Sequence, residues 1–297
     1  MHTIDCIIKT ANPMKKSALF PEKSSINING RLMNLDSPKV MGILNITDDS
    51  FFDGGEYINE DKYLMRVKQM LDEGADIIDI GAQSSRPGAH EVGAEEEIKR
   101  LIPVIQTIRK QFPLAHISVD TWHSRVAEQS ILSGANMIND ISGGTFDFEM
   151  FDTIAQLQVP YVLMHTGGHP NNMQKDPNYK NVVKEVIYFL SKQLDKLNHI
   201  GVNDVIIDPG FGFGKTMEHN YKLLKHLDHF QFLETPILVG ISRKSMIYKA
   251  LDNNPKDALN GSTALNMFAL NKGAKFLRVH DVKAAKEVIK LHQLIEA

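Results

Sequence analysis

Short apolar runs alternate with longer segments of helical hydrophobic spacing from about residue 40 to the C-terminal end of the sequence. The apolar runs predict strands at 40–45, 76–81, 116–120, 136–140, 161–165, 204–208, 236–240 and 275–280. The segments between them predict helices at 60–73, 94–110, 122–133, 147–157, 179–200, 217–228, 257–272 and 282–295. Gly74, Gly134 and Gly273, each followed by Ala, stand where a helix C-cap would lead into the next strand.

The nearly continuous apolar character of these strands indicates a parallel sheet that is buried on both faces. Eight strand–helix units in roughly 250 residues are typical of a TIM barrel, and an open doubly wound sheet is the alternative. Before the first unit, Asn29 and Gly30 separate two short extended stretches, which predicts a β-hairpin because both residue types tolerate positive φ. We therefore predict an α/β fold, a TIM (β/α)8 barrel whose bottom is closed by the N-terminal hairpin.

The sequence shows no linker or shift in composition after the N-terminal region. We expect a single domain over residues 25–297, preceded by a flexible tail over residues 1–24. Met14, which is followed by Lys15 and Lys16, is a plausible alternative start of translation.

Polar residues recur where the predicted strands end. Because the carboxyl ends of parallel barrel strands surround one mouth, residues far apart in sequence should meet there. The strand-end residues are Asn45, Asp120, Asn139 or Asp140, His165, Asp208, Arg278 and His280, and the loops after the second and seventh strands add Arg86, Arg243 and Lys244. A helix N-cap is the competing interpretation, and we favour it for Asp76, Asp140 and Asp281. For His165, direct ligand contact and a supporting hydrogen-bond role remain equally open.

Capping does not explain the cationic side chains at the same mouth. Carboxylates and amides suit a flat heterocycle, since a carboxylate can accept two parallel N–H donors from a guanidine-like edge. Arginine, lysine and histidine favour phosphate. The set therefore points to a heterocycle that carries a phosphate or diphosphate.

Bulk properties exclude several other classes of protein. The formal net charge of −3 gives no basic excess for nucleic acid, so we expect no nucleic-acid partner. Cys6 is the single cysteine, which excludes an internal disulfide and a cysteine-based metal site. No apolar run approaches the roughly 20 residues that a membrane-spanning helix needs. We expect a cytoplasmic protein without a membrane partner.

The stretch "DPGFGFGKT" at 208–216 is similar to a nucleotide-binding loop but departs from it. A P-loop requires glycine five residues before its last glycine, Gly214, and that position is Pro209. The dinucleotide pattern fails as well, because Lys215 stands where its third glycine belongs. A flexible loop at the barrel mouth, in which Phe211 or Phe213 walls a ligand, fits better.

Several stretches in this order and spacing resemble the dihydropteroate synthases of folate biosynthesis over nearly all of residues 25–295. They are "MGILNITDDSFFDGG", "GAQSSRPGA", "SVDT", "MINDISG", "LMH", "IIDPGFGFGKTMEHNYKLL", "GISRKS" and "RVHDV". The resemblance implies a TIM barrel that joins 6-hydroxymethyl-7,8-dihydropterin diphosphate to p-aminobenzoate and releases diphosphate. It also implies Mg²⁺ as cofactor and a homodimer, in which the C-terminal helix could take part.

The same resemblance assigns residues to three subsites and to the chemistry. The implied pterin-binding residues are Asp120, Asn139, Asp208, Lys244 and Arg278, of which Asp120, Asp208, Lys244 and Arg278 are the catalytic set. The implied diphosphate residues are Asn45, Arg86, Arg278 and His280, with the metal held near Asn45. The implied p-aminobenzoate residues are Ser85, Pro87, Phe213, Lys244 and Ser245, and Asp53 and Arg86 would lie on two mobile loops.

The implied reaction is a dissociative substitution, in which Asp208 stabilises a pterin methylene cation. Asp48, Gln83 and Ser85 depart from the proline, glutamate and threonine that are usual in the family, and Thr166 stands where methionine is frequent. Two other hypotheses share the pterin ligand: a methyltransferase that needs a corrinoid-carrying partner, and a non-enzymatic pterin-binding protein. Arg86, Arg278 and His280 argue against the first, since it needs no diphosphate site.

Overall fold

The computed structural model describes residues 23–46, 52–53, 57–58, 60–83, 92–171, 173 and 177–296, with only the backbone at 52–53 and 57–58. The strands are β1 (Ser25–Ile28), β2 (Arg31–Asn34), β3 (Lys39–Asn45), β4 (Phe52–Asp53), β5 (Tyr57–Ile58), β6 (Ile77–Gly81), β7 (Ile117–Asp120), β8 (Met137–Asp140), β9 (Tyr161–Met164), β10 (Val205–Asp208), β11 (Ile237–Val239) and β12 (Ala274–Val279). The helices are α1 (Glu60–Asp72), α2 (Ala94–Gln111), α3 (Ser124–Leu132), α4 (Met150–Leu157), α5 (Val182–His199), α6 (Met217–Lys225), α7 (Ser245–Tyr248), α8 (Leu259–Asn271) and α9 (Val282–Glu296). Short 3₁₀ helices cover Leu227–Leu233 and Pro255–Asp257.

Eight of the strands form a closed parallel barrel, which confirms the predicted fold and excludes the open sheet. The ring runs β3, β6, β7, β8, β9, β10, β11 and β12, and β12 pairs with β3 again. Most strand residues are buried, because the helices cover the outer face of the barrel and side chains fill its interior. The register places Gly81 beside both Asn45 and Asp120, so these strand ends lie at the same level.

The N-terminal hairpin closes the bottom of the barrel, as predicted. Strands β1 and β2 pair antiparallel around Asn29 and Gly30, whose φ angles of 54° and 76° are those of the expected turn. Ile26 and Ile28 are buried, and they pack in one cluster with residues near the start of the barrel strands. Those residues include Met41, Ile77, Met137, Val162, Ile206, Leu238 and Phe276.

The predicted helix boundaries shift where capping groups intervene. The helix predicted at 122–133 begins at Ser124, whose backbone N–H donates to Asp147 at 2.7 Å. The helix predicted at 179–200 begins after Asn181, whose side chain accepts from the backbone of Lys184. The helix predicted at 217–228 ends at Lys225, and the short helix α7 was not predicted.

Among the described residues, none of the helices combines the length and apolar character that a membrane span requires. Four of the predicted ligand-site or departure positions, Asp48, Ser85, Arg86 and Pro87, lie outside the described residues, and Asp53 is described by its backbone alone. The predicted tail falls almost entirely outside the described residues as well.

Candidate active site

A network of buried charges at the carboxyl ends of the strands surrounds Arg278 of β12. Its Nε donates to Asp79 Oδ2 and its Nη2 donates to Asp120 Oδ2, each at 2.6 Å. Asn139 Nδ2 also donates to Asp79 Oδ2, at 3.0 Å. Strands β6, β7, β8 and β12 therefore contribute to one polar network, although 199 positions separate Asp79 from Arg278 in the chain. The predicted meeting of Asp120, Asn139 and Arg278 is present.

Asp79 is a site residue that the sequence analysis missed. It lies inside β6, whose sequence is IIDIG, and its side chain is fully buried. The available signal was a charged residue within an otherwise apolar strand, because a buried carboxylate needs a partner. Asp79 is the third of the five residues of β6 and lies away from the strand ends, where a polar residue is conspicuous.

Burial shifts the ionisation of this network. It raises the pKa of Asp120 to about 7, with Arg278 opposing the rise and Asp79 adding to it. The pKa of Asp208 is also raised by burial, against the nearby Lys244. Burial alone would lower the pKa of Arg278, but Asp79 and Asp120 outweigh it and raise that pKa. The mouth thus holds a fixed cation among carboxyl groups whose charge a ligand with N–H donors would stabilise.

Asp208 and Lys244 form the second part of the site. Asp208 Oδ1 accepts from the backbone of Gly210 at 2.7 Å. Lys244 Nζ donates to the carbonyl of Phe211 and lies 4.6 Å from the centre of the Phe213 ring. Burial lowers the pKa of Lys244 to about 8, while Asp208 opposes the shift. Lysine, carboxylate and aromatic ring therefore share one corner of the mouth.

The glycine-rich loop folds around the buried ammonium group of Lys215. Lys215 Nζ donates to the carbonyl oxygens of Gly210 at 2.8 Å and Phe213 at 3.0 Å. It also lies 2.9 Å from His165 Nδ1. Gly210 has a φ of 72°, and a Cβ there would lie 1.8 Å from the carbonyl oxygen of His165, so only glycine fits. The ammonium group binds the loop's own carbonyls, which agrees with rejection of a P-loop.

The threonine of the Gly-Lys-Thr sequence has a structural role. Thr216 is the N-cap of α6 and forms a capping box with His219. His165 is buried and contacts Lys215, which favours the supporting hydrogen-bond role over direct ligand contact, and this role stays a prediction. Lys215 was not predicted to belong to the site.

Two of the three aspartates expected to act as helix N-caps lie away from a helix start, and the third, Asp281, directly precedes α9. Asp140 is buried; it accepts from the backbone of Ser142 at 2.7 Å and from Tyr161 Oη at 2.6 Å, far from the start of α4 at Met150. The side chain of Asp76 accepts from the backbone of Val40 and from Lys286. The carboxylate of Asp281 binds the guanidinium of Arg243 through both oxygens, at 2.6 and 2.9 Å. The capping interpretation was therefore wrong for Asp140 and Asp76, since their carboxylates hold turns and strands together. The hydrogen bonds of the Asp281 carboxylate go to Arg243.

Four further predicted residues that the structure describes lie around the same mouth. Asn45 ends β3 and is exposed, His280 follows β12, and Ser245 is exposed at the start of α7. Phe213 is buried in the loop after β10 and packs with Trp122, Ile141 and Met164. Trp122 is buried in this cluster and packs there.

Comparisons with known proteins agree with this geometry. A model of the pterin binding enzyme family matches residues 41–280. The chain is 42% identical over 267 residues to the dihydropteroate synthase of Haemophilus influenzae, covering 89% of this chain and 96% of that protein.

Two solved structures of Xanthomonas albilineans dihydropteroate synthase are also similar. The one with 4-aminobenzoic acid has a TM-score of 0.85 and 39% identity, and covers 92% of this chain and 98% of the other. The one in complex with 7,8-dihydropteroate has a TM-score of 0.81 and 36% identity, with 92% and 99% covered. On its sequence, its closed barrel and the charged network at the barrel's mouth, this chain belongs to the dihydropteroate synthase family of pterin-binding enzymes.

Proposed function

We propose that the protein condenses 6-hydroxymethyl-7,8-dihydropterin diphosphate with p-aminobenzoate to give 7,8-dihydropteroate and diphosphate. The observation that carries this proposal is the joint presence of Asp120, Asn139, Asp208, Lys244 and Arg278 at one barrel mouth. The relatives' names and the two ligands of the Xanthomonas albilineans structures support it.

The described residues suit the edge of a pterin. A carboxylate such as Asp208 can accept two N–H donors from a 2-amino-pyrimidinone edge, and the amide of Asn139 can both donate and accept. Lys244 is a donor for the ring carbonyl. Asp79 and Asp120 fix the guanidinium of Arg278, so its plane is preorganised before a ring stacks on it.

The chemistry we propose is a dissociative substitution. The C–O bond to diphosphate breaks first, and its electron pair leaves with the diphosphate. The resulting methylene cation is conjugated with the dihydropterin ring, and the negative charge of Asp208 stabilises it through the low-dielectric site. The neutral aromatic amine of p-aminobenzoate then attacks the carbon and loses a proton, so no strong general base is required.

The metal and the second substrate complete the proposal. Mg²⁺ is bound in proteins through one or two side-chain oxygens together with substrate phosphates, and the exposed amide of Asn45 at the mouth fits that mode. Within the described ranges, no group of three or more acidic, histidine or cysteine side chains forms a separate cage. When bound, the ion would neutralise charge on the leaving diphosphate. Phe213, Lys244 and Ser245 are proposed for p-aminobenzoate, together with Ser85 and Pro87.

We also propose a homodimer. Helices α8 and α9 expose apolar side chains, among them Phe268, Leu291 and Leu294, and an exposed apolar patch is typical of an interface. The cytoplasmic location and the roles of Arg86 and of the Asp53 loop likewise stay predictions.

A coupled assay of diphosphate release tests the reaction. With the pterin diphosphate and Mg²⁺, release should depend on p-aminobenzoate, and 7,8-dihydropteroate should form in equal amount. Binding of the pterin without release would favour the non-enzymatic hypothesis. Methyl transfer from a pterin to a corrinoid protein, without diphosphate release, would favour the methyltransferase.

The variant Asp208→Asn tests the proposed mechanism. It keeps the shape of the side chain but removes the charge opposite the cation, so kcat should fall by about 100-fold or more. Asp204→Asn is a matched control, since Asp204 pairs with Lys23 at the opposite end of β10. Its kcat should stay within about twofold of the wild type. A near-normal kcat for Asp208→Asn would contradict charge stabilisation by this residue.

A further inference from the structure

Ser242 makes two contacts with His280, one with its backbone N–H and one with its imidazole. The backbone N–H of His280 donates to Ser242 Oγ at 3.2 Å. The same Oγ lies 3.1 Å from His280 Nδ1. Ser242 is buried, so its hydroxyl group depends on protein partners.

The donors and acceptors can be counted at this contact. A serine hydroxyl has one proton to donate, and here its oxygen already accepts the backbone N–H of His280. Among the described residues, Nδ1 is the group within hydrogen-bond distance of Oγ that can accept that proton. If Nδ1 carried the proton instead, Oγ would accept twice and the buried hydroxyl proton would lose its partner. The contacts therefore favour an unprotonated Nδ1 and a proton on Nε2.

Neighbouring contacts hold His280 in this position. Arg66 Nη2 donates to the carbonyl of His280 at 2.5 Å. The following residue, Asp281, is bound through two hydrogen bonds to Arg243, the residue after Ser242. The loops after β11 and β12 are thus tied together at two adjacent positions, which fixes the backbone from which the imidazole extends.

We propose that Ser242 is a positioning residue that holds His280 as the Nε2–H tautomer, so that Nε2–H donates a hydrogen bond to an oxygen of the departing diphosphate. The inference rests on the proposed function, because it takes diphosphate as the ligand. A neutral N–H donor binds the anion without transferring a proton, so the bond does not alter the charge balance of the reaction. Burial first, and then the charges of Arg278 and Arg243, lower the pKa of His280 to about 4, which agrees with a neutral ring; Asp281 opposes this shift.

Nuclear magnetic resonance can observe the tautomer directly. Long-range ¹H–¹⁵N spectra of the wild type at pH 7, with His280 assigned by comparison with His280→Gln, should show a hydrogen-bonded acceptor at Nδ1 and a protonated Nε2. Titration with inorganic pyrophosphate and Mg²⁺ should shift the Nε2 signal. A protonated Nδ1, or an Nε2 signal that pyrophosphate leaves unchanged, would overturn the inference.

Variants of the serine supply the functional readout. Ser242→Ala should weaken pyrophosphate binding by about tenfold and raise the KM for the pterin diphosphate, but not the KM for p-aminobenzoate. Ser242→Thr keeps the hydroxyl and should restore most of the affinity. Ser262→Ala is the control, because Ser262 Oγ accepts from the backbone of Arg243 in the same loop without contacting the imidazole. It should keep the wild-type tautomer and affinity within about twofold.

Equal losses in Ser242→Ala and Ser262→Ala would mean that the serine only stabilises the loop, and would overturn the inference. The tautomer and the binding of pyrophosphate are measured without turnover. A wild-type protein could show the Nε2–H tautomer and bind pyrophosphate but release no diphosphate with p-aminobenzoate. That result would contradict the proposed function and leave this inference intact.

Discussion

Asp79 shows how one side chain can prepare a ligand site without lying at its edge. It is fully buried, and its Oδ2 accepts from both Arg278 and Asn139. Its Oδ1 has no hydrogen-bond partner among the described residues. An unpaired carboxylate oxygen in the interior costs folding free energy, so packing alone does not account for an aspartate at this position. Its carboxylate holds the side chains of Arg278 and Asn139 in fixed positions.

We expect Asp79→Asn to lower kcat/KM for the pterin diphosphate by at least about tenfold. The amide has the same shape but no charge, so Arg278 keeps one of its two carboxylate partners and turns toward Asp120. Steady-state kinetics and urea unfolding would separate the loss of activity from any loss of stability. Unchanged kcat/KM would show that Asp120 alone suffices to hold Arg278.

Glu97 is a second buried carboxyl group, in α2 outside the ligand network. Its Oε2 accepts from Gln83 Nε2 at 2.9 Å, and the same amide donates to the carbonyl of Val92 at 3.0 Å. Burial raises the pKa of Glu97 to about 8, with the hydrogen bond from Gln83 opposing the rise. The family's usual glutamate at position 83 would place a second acid here, so the glutamine is chemically matched to Glu97.

This pKa predicts how stability depends on pH. A carboxyl group that holds its proton more tightly when folded stabilises the protein at low pH, and that stability is lost as the pH rises from about 4.5 through about 8. Glu97→Gln resembles the protonated form at every pH. The wild type should therefore lose about 1–3 kcal/mol of unfolding free energy relative to this variant between pH 5 and pH 8.5. Urea unfolding at several pH values measures the difference, and parallel curves would contradict it.

Residues at strand ends were accessible to sequence reasoning, whereas buried partners were not. Asp120, Asp208 and Arg278 stand at or near the boundary of an apolar run, where a polar residue is conspicuous. Lys215 was not assigned, since only the folded loop shows that backbone carbonyls surround its ammonium group. The tautomer of His280 likewise depends on a contact between residues 38 positions apart.

At the scale of elements, the hairpin of β1 and β2 acts as the floor of the barrel. Ile26 and Ile28 point into the ring of residues at the start of the strands and are almost completely buried. Leu32, on the second strand of the same hairpin, is 76% exposed. The hairpin thus has one face in the core and one face in solvent.

Ile26→Ala should destabilise the protein by about 2–5 kcal/mol, because it removes buried methyl groups and leaves a cavity at the floor. Leu32→Ala is the matched control and should cost less than about 0.5 kcal/mol. Both values come from the urea midpoint and slope. Similar losses for the two variants would mean that the hairpin does not contribute its buried face to the core.

The elements themselves followed from hydrophobic spacing, but their ends did not. Apolar periodicity locates the buried face of a helix, and it says nothing about the first residue that finds a cap. The start of α3 depends on Asp147, which is 23 positions away, and the end of α6 on the tight 3₁₀ turn that follows it. These are tertiary and local hydrogen bonds, which a periodic pattern does not contain.

At the scale of the whole molecule, the alternation of strands and helices was enough to predict the closed barrel. Eight similar units favour a closed barrel, since closure removes the two sheet edges that an open sheet would expose. What the alternation cannot supply is the position of each side chain around the mouth. That depends on the stagger between neighbouring strands, such as the alignment of Gly81 with Asp120.

Because every barrel strand points the same way, the predicted ligand site lies at one end of the barrel and the N-terminal hairpin lies at the other. A large polymer coupled to a Leu32→Cys variant would project from the hairpin. The same polymer coupled to a Phe148→Cys variant would project from the loop after β8, where Phe148 is 90% exposed. In a background with Cys6→Ser, we expect the Leu32 conjugate to keep its rate of diphosphate release within about twofold and the Phe148 conjugate to lose more. Equal rates for the two conjugates would contradict this. The protein could then be fixed to a support by its hairpin while its substrates come and go freely on the far side.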